Sequence, residues 1–382
     1  MVSVDIIGGG IGGLTFANAL NLAGIDFNLF EQAPKLTEVG AAIGISKVPL
    51  DILETLGLAQ QVKDMGSVIH QINITDKNLN VIRAISPEWP SVIIHRAKLI
   101  DVLASKLPVE KIHLTRKLTQ IKSESVFSVL KFSDGFETQS GCTVIADGIN
   151  SFVRKQIFPE IKIRYSQQTI WRGITTMQLP QEYSNTYTEI WDSSKRFLFA
   201  PMDAKNVCWL AVKNADVGER DNPNTLCNDL LKEYANFHPL VKELLFKSSN
   251  FIRNDLADLG NRHRLWHHNK IVFLGDSIHA TTPNLAQGAC QAMEDGFCLS
   301  LLMKKSNGDL QKIFRTYQKL RNKKVSFVVN TSWQLGRMTH SQLLSHFIKS
   351  IFRYAPTSLF LGIERKLNDN TYLPRDERQC CE

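Results

Sequence analysis

Three groups of residues in this 382-residue chain have the types and spacing needed to hold a phosphate-bearing ligand. The first is Val4-Asp5-Ile6-Ile7-Gly8-Gly9-Gly10-Ile11-Gly12-Gly13, with an acid, Glu31, eighteen residues beyond Gly13 (31 − 13). An apolar run ends in glycines, a helix-compatible stretch follows to about Ala23, Gly24 stops it, and a second apolar run ends on the acid. That is a βαβ unit with the dinucleotide fingerprint. Gly8 allows a tight turn out of the strand, Gly10 leaves room for a pyrophosphate against the backbone, and Gly13 lets helix and strand pack closely. The phosphates would sit at the helix N-terminus, where unpaired amides and the dipole favour negative charge. Glu31 could accept from both hydroxyls of an adenosine ribose. A lone GxGxxG is weak; the strand before it, the helix after it and the acid at the right distance make it specific.

The second group follows the apolar run Cys142-Thr143-Val144-Ile145-Ala146, which delivers Asp147-Gly148 to a loop with Ser151 and Arg154 at helix-start spacing. After a fingerprint of the first kind, this Asp-Gly turn is expected to be a second cofactor contact. The third group is Gly275-Asp276 at the end of another strand, a loop through Pro283, and Gly288 opening a small-residue helix. Asp276 can bind a polyol hydroxyl, and the amides of Ala286, Gln287, Gly288, Ala289 and Cys290 can face the carbonyl oxygens of a flavin. Two further features fit a flat cofactor. The loop of small residues from Glu38 to Ile45, including Gly44, would let backbone approach a ring, although a plain connector reads the same way. Arg96 opens a helix at the wrong end for a cation to balance the dipole, so it needs an anionic or polar partner.

The elements that must position these groups are of two kinds. Alternation of apolar runs with helical stretches gives an α/β domain with a parallel sheet. From Ile69 to Ile94 the pattern changes to strands (Ile72 to Ile74, Val81 to Arg83), an excursion into a second sheet. Strands around Ile112, Leu118 to Ile121 and Ser128 to Phe132 form a meander. From Ile163 to about Val212 aromatic strand-like segments dominate, around Trp171, Trp191, Phe197, Phe199 and Trp209. They suggest a substrate sheet whose face carries aromatics and a few arginines. Arg172 and Arg196 could pair there with a carboxylate or phenolate through a planar fork, or simply form salt bridges on a sheet face. His279, after the Gly-Asp turn, reads as a base or, more simply, as a hydrogen-bonded loop histidine. Residues from Leu310 on read as amphipathic helices and a polar tail.

Composition sets the outer bounds. A chain of this length needs two domains or one large domain with an insertion. Apolar content of 43% and charged content of 21% are those of a globular protein, and no segment is long and apolar enough to span a bilayer. The N-terminus enters a strand directly with no charged leader, so a cytoplasmic location is expected. Seven scattered cysteines, Cys142, Cys208, Cys227, Cys290, Cys298, Cys380 and Cys381, suit reduced thiols, and no spacing suggests a metal site. Of the net charge of +8 (45 − 37), part lies in Arg262-His263-Arg264 with His267, His268 and Lys270, and part in Lys312, Arg315, Lys319, Arg321, Lys323 and Lys324. Without interleaved aromatics or a recognisable module these do not suggest nucleic-acid binding. They are expected to be solvated faces that attract small anions.

Taken together, Gly8 to Glu31, Asp147-Gly148 with Ser151 and Arg154, and Gly275-Asp276 with Pro283 and Gln287-Gly288 resemble the group A flavoprotein monooxygenases. Val39-Gly40-Ala41-Ala42-Ile43, His95-Arg96-Ala97 and the stretch from Thr282-Pro283 to Glu294-Asp295 are similar to salicylate-hydroxylase-like and urate-hydroxylase-like members. The match runs from Val4 to about Leu320. It implies a GR2-type FAD-binding domain with an inserted substrate sheet. Residues 1–69, 95–162 and 261–330 would form the first, 70–94 and 163–260 the second, and 331–382 C-terminal helices and a tail. Gly8, Gly10, Gly12 and Gly13 would hold FAD pyrophosphate, Glu31 with Gln32 the adenosine ribose, Arg96 and Asp276 the ribityl region, and Pro283 through the Gly288 helix start the isoalloxazine. Leu118 would join the cofactor site, and Asp147-Gly148 would serve both FAD and docking of NADH or NADPH, which has no complete site of its own.

The resemblance further implies that reduced FAD adds dioxygen at C4a and that the hydroperoxide hydroxylates a small aromatic or enolic substrate. Alternatives are an oxidase or reductase of the same fold, a hydroxylase of a larger polyketide such as a tetracycline, or a flavin protein acting through a partner on Lys312 to Lys324. The halogenating branch is disfavoured because tryptophan is absent before Trp89. Ser277-Ile278 replaces the commoner pair of alanines. Asn284 stands where some relatives have aspartate, and Cys208 stands where urate-hydroxylase-like members pack an aromatic on substrate; both weigh against urate. A monomer or homodimer is expected.

Overall fold

The computed structural model describes residues 3–36, 42–248, 250–260, 265–306, 308–339, 341 and 344–373, with the side chains of 344–346 excepted. Val39-Gly40-Ala41, Arg262-His263-Arg264 and Cys380-Cys381, singled out above, lie outside the described residues.

The fully buried strand Val4–Ile7, apolar but for Asp5, is the centre of a six-stranded sheet ordered His267–His268, Ile271–Phe273, Cys142–Ile145, Val4–Ile7, Phe27–Phe30, Ile112–His113. All neighbours are parallel except the first pair. Strands buried on both faces read as continuous apolar runs, which is why Val4–Ile7 and Cys142–Ile145 contain so little alternation. The helix Ile11–Ala23 packs between this sheet and the long helix Gly288–Lys305, where Gly296 lies against Phe16 and Gly12. An antiparallel meander, Leu118–Ser123, Ser128–Phe132 and Glu137–Ser140, supplies Phe132 and Phe136 to rings around Phe30.

The second large sheet has seven strands in the order Phe251–Asp258, Arg164–Thr176, Asn206–Asn214, Lys195–Pro201, Thr186–Asp192, Gln71–Thr75, Val81–Ile85. The excursion read from residues 69–94 therefore supplies its last two strands. Its faces are chemically opposite. Side chains alternate along each strand, and Trp171, Phe197, Phe199 and Trp209 all point to one face, where they pack on the helices Leu226–Glu233 and Pro239–Phe246. Arg172 and Arg196 point to the other. The expected face carrying both aromatics and arginines is thus corrected in part: a one-residue step in a strand changes the face, so these four rings are core, whereas Trp191, opposite Arg196 in register, and Tyr187 share the face of the arginines.

A single 30-residue helix, Leu310–Thr339, runs through residue 330, and the helices Leu344–Tyr354 and Thr357–Leu367 follow it. The basic run on the long helix is not all a solvated face, which corrects a second expectation. Arg321 is fully buried and Lys324 nearly so, because both face the Glu294-Asp295 pair on the neighbouring helix.

Candidate functional site

One continuous cavity of about 1110 Å³ runs between the two large sheets. That exceeds the roughly 300–1,000 Å³ of a pocket for one small ligand and leaves room for two.

At one end the βαβ unit forms the wall. Gly8 has φ +112°, and a Cβ there would lie 2.4 Å from the Ala146 oxygen; one on Gly13 would lie 2.1 Å from the Gly8 oxygen. Only glycine allows the strand, turn and helix to close so tightly. Gly10 caps the helix Ile11–Ala23 without a side-chain bond and with no acid in the first turn, so the leading amides are available to an anion. The Glu31 carboxylate accepts from Gly9 N–H at 2.7 Å and from Ala33 N–H at 2.8 Å, which fixes it at the cavity wall.

In the middle, Arg96 at the start of the helix Arg96–Ala104 faces the charge of Asp276, and the Asp147-Gly148 loop lines the same cavity. Burial lowers the Arg96 pKa, and the Asp276 charge opposes that shift. Burial raises the pKa of Asp276 and of Asp147, against nearby cations and hydrogen bonds. Asp147 Oδ2 accepts from Phe152 N–H, whereas its buried Oδ1 has no hydrogen-bond partner among the described residues. The Gly275-Asp276 turn is anchored from behind. Asp295 accepts from Gly275 N–H at 2.9 Å, from His279 Nε2 at 2.5 Å and from Arg321 Nε at 2.8 Å.

Further along, the left-handed Ala286 leads through Gln287 into the helix Gly288–Lys305, whose N-terminus carries no side-chain cap and opens on the cavity beside Gly44 and Pro283. The floor is the polar face of the seven-stranded sheet. Register places Glu189 opposite Leu198, Leu198 opposite Leu210, and Leu210 opposite Arg172 in one row, with Arg196 and Val212 opposite each other in the next. Arg196 donates to Glu189 Oε1 at 3.0 Å and to Asn284 Oδ1, and Trp191 Nε1 also donates to Glu189 at 2.9 Å. Burial lowers the Arg172 pKa and the Arg96 charge lowers it further, so two cations face this cavity and disfavour each other. Burial and Glu189 hold the Tyr187 phenol well above its ordinary pKa.

Of the residues singled out in the sequence, Gly8, Gly10, Gly12, Glu31, Gln32, Gly44, Arg96, Leu118, Asp147, Gly148, Arg172, Arg196, Asp276, Pro283, Ala286, Gln287, Gly288 and Ala289 all line this cavity. Gly13 and Cys290 do not: Gly13 lies under the Gly8 turn, and the Cys290 thiol turns away toward the Gly44 oxygen at 3.5 Å. Ser151 and Arg154 also have structural tasks. Ser151 caps its helix by accepting from Arg154 N–H, and buried Arg154 donates to the oxygens of Ser277 and Ile149. His279 is held by Asp295 and is not among the lining residues, the simpler of its two readings. Arg196 forms the salt bridge weighed above and lines the cavity as well. Sequence reasoning missed Tyr187, Glu189, Trp89 and the contributions of Phe352, Phe360 and Leu367 from the last two helices. Strand alternation relative to Arg196 would have found Glu189 and Tyr187 once the pairing was known; nothing in the sequence places the helices.

The residues present suit FAD. Amides of two uncapped helix starts suit its pyrophosphate and ring oxygens, Glu31 suits its ribose, and the unpartnered Asp147 oxygen suits a hydroxyl or amide donor. The model of the FAD binding domain family matches residues 1–332. The chain belongs to this family of FAD-dependent monooxygenases. The monooxygenase is 32% identical to "Aurachin C monooxygenase/isomerase" of Stigmatella aurantiaca over 352 residues, covering 88% of this chain and 89% of that one. It is 26% identical to "2-heptyl-3-hydroxy-4(1H)-quinolone synthase" of Pseudomonas aeruginosa, again over 88% and 89%. The Klebsiella pneumoniae HpxO structure with FAD and uric acid superposes on the monooxygenase with TM-score 0.89 at 22% identity, covering 96% of this chain and 97% of that one, and so shares its fold. Among the described residues no helix is long and apolar enough to cross a membrane, no His, Cys, Asp and Glu side chains gather to hold a metal, and five cysteines are free thiols.

Proposed function

We propose that this monooxygenase consumes NADH or NADPH to hydroxylate a small enolic aromatic, a ring bearing a hydroxyl or an enolisable carbonyl. The observation that carries the reading is the continuity of one cavity from the Gly8 to Glu31 wall to the polar floor around Arg172, Glu189, Arg196 and Asn284. FAD, once reduced, activates dioxygen, so that substrate, dioxygen, NAD(P)H and one proton become hydroxylated product, water and NAD(P)⁺. The protein supplies position, electrostatics and a dry site.

Gly8, Gly10 and Gly12 with the first helix start would hold the pyrophosphate, and Glu31 and Gln32 the adenosine ribose. Arg96, Asp147, Gly148 and Asp276 would hold the ribityl region, and Gly44, Pro283 and Ala286 to Ala289 the ring. Arg196 is the substrate-contact residue best supported. It is buried, lines the cavity and is pre-oriented by Glu189 and Asn284. Arg172 and Arg96 add positive potential, which favours the electron-rich enolate or phenolate form that accepts oxygen. Tyr187, kept as a neutral phenol, can donate to a carbonyl or hydroxyl. A 4(1H)-quinolone is an aromatic of this enolisable kind.

The test is oxidation of NADH and NADPH by the purified flavoprotein with and without phenolic acids, purines and 4(1H)-quinolones under labelled dioxygen. Stimulated oxidation with one labelled oxygen in the product is expected. Reductant consumption that yields only hydrogen peroxide with every compound would refute the hydroxylase and favour an oxidase.

A further inference from the structure

We propose that the substrate carries an apolar tail, and that the end of the cavity between the sheet edge and the last two helices is the tail's binding site. The proposal rests on the hydroxylase reading above for the head of the substrate and on separate geometry for its tail. The edge strands Gln71–Thr75 and Val81–Ile85 present Ile72 and Ile85 opposite each other, and Trp89 follows. Phe352, Phe360 and Leu367 line the same chamber from the helices Leu344–Tyr354 and Thr357–Leu367. All six are only half-buried where they line the cavity. Apolar surface left uncovered in a groove marks a place for an apolar ligand.

The chamber is continuous with the polar floor. Tyr187 pairs in register with Ile72, and Ile72 with Ile85, so the row leads from the strand carrying Glu189 to the sheet edge. From the strand of Arg196 to that edge is three strand spacings, roughly 14 Å. A head group held at Arg196 would reach the chamber only through an extended chain.

Several polar groups of the chamber wall are spent on holding it together. Glu364 accepts from the amides of Glu88 and Trp89, Arg365 pairs with Glu88, and Arg83 donates to Thr357 at 2.7 Å. Glu364 is the charged residue of the lining here, so the polyanionic NAD(P)H is the wrong occupant. Arg83 lies over the Phe360 ring at 5.0 Å, and its buried Nε has no hydrogen-bond partner among the described residues; an alkyl or isoprenoid chain fits the apolar side chains beside it.

The test uses calorimetry on the FAD-loaded full-length protein with two series of probes: n-alkanols from hexanol to decanol, and 4(1H)-quinolones with methyl, pentyl, heptyl or nonyl at position two. Both Kd series should tighten by up to about fourfold per added methylene, the effect of burying one CH₂. Ile85→Gln and Leu367→Gln should flatten both slopes while leaving the Kd of the methylquinolone unchanged. A flat alkanol slope in the wild type, or slopes that neither variant alters, would overturn the proposal. Alkanols that bind with the expected slope while no quinolone binds would support the chamber and instead overturn the head-group reading.

Discussion

Replacing Arg196 by Gln removes one member of an ion pair that is almost dry: its side chain is 6% exposed and that of Glu189 14%. Breaking a buried pair on one side costs about 3–5 kcal/mol, because the remaining charge is left without its partner. Trp191 Nε1 still donates to Glu189, so the lower end, about 3 kcal/mol, is expected, seen as a fall in Tm on the order of 5 °C. The double variant Glu189→Gln, Arg196→Gln strands no charge and should recover most of that loss. Activity should behave differently. A hydrogen bond to a charged group contributes about 1.5–3 kcal/mol, so binding of an enolate or phenolate should weaken roughly 10- to 150-fold in both variants. The assays are thermal unfolding and substrate-stimulated NAD(P)H oxidation on each variant. A double variant as unstable as the single one would refute the stranded-charge argument, and full turnover in either would remove Arg196 from the substrate site.

Gly13→Ala would set a Cβ against the Gly8 oxygen, so the protein should purify without flavin, which an absorbance spectrum checks directly. Arg321→Met leaves Glu294 and Asp295 short of a partner at zero exposure, and a loss of about 3–5 kcal/mol is expected in denaturant unfolding. Although burial pushes the Asp295 carboxyl up, His279 and Arg321 outweigh it and hold the pKa down to about 2. A depressed carboxylate stabilises the fold above its unfolded pKa near 4, and that contribution is lost as pH falls toward 2. Asp295→Asn should therefore be less stable than wild type by roughly 2 kcal/mol at neutral pH, with the gap closing between about pH 4 and 2. A gap that persists at pH 2 would point to packing rather than charge.

The glycine-rich wall of the cavity was legible because its constraints are local. Gly8, Gly10 and Gly13 lie within one turn, Glu31 follows one helix and one strand later, and Gly275-Asp276 and Gly288 are fixed by the same strand-loop-helix grammar. The sheet floor of the cavity was not, because facing depends on partners distant in sequence. Arg172 lies beside Trp171 and Arg196 beside Phe197, yet the members of each pair point to opposite sides of the sheet, and only the seven-strand register assigns them. Arg321 and Lys324 looked like solvated cations because their partners, Glu294 and Asp295, lie on another helix and look like ordinary surface acids there. The last two helices carry ordinary amphipathic patterns, which show that a face will be covered but not that it will cover a cavity.

The two-faced sheet has a consequence for how this enzyme can change. Trp209, Phe197 and Trp171 anchor one side to helices, while Tyr187, Leu198, Cys208 and Leu210 on the other side meet the cavity. Because consecutive residues alternate between these tasks, a strand can exchange every second side chain without disturbing the interlocked rings behind it. Selectivity and foldedness are thereby written on interleaved positions of the same strands. A combinatorial library at 187, 198, 208 and 210 should thus yield folded flavoproteins that differ in what they oxidise.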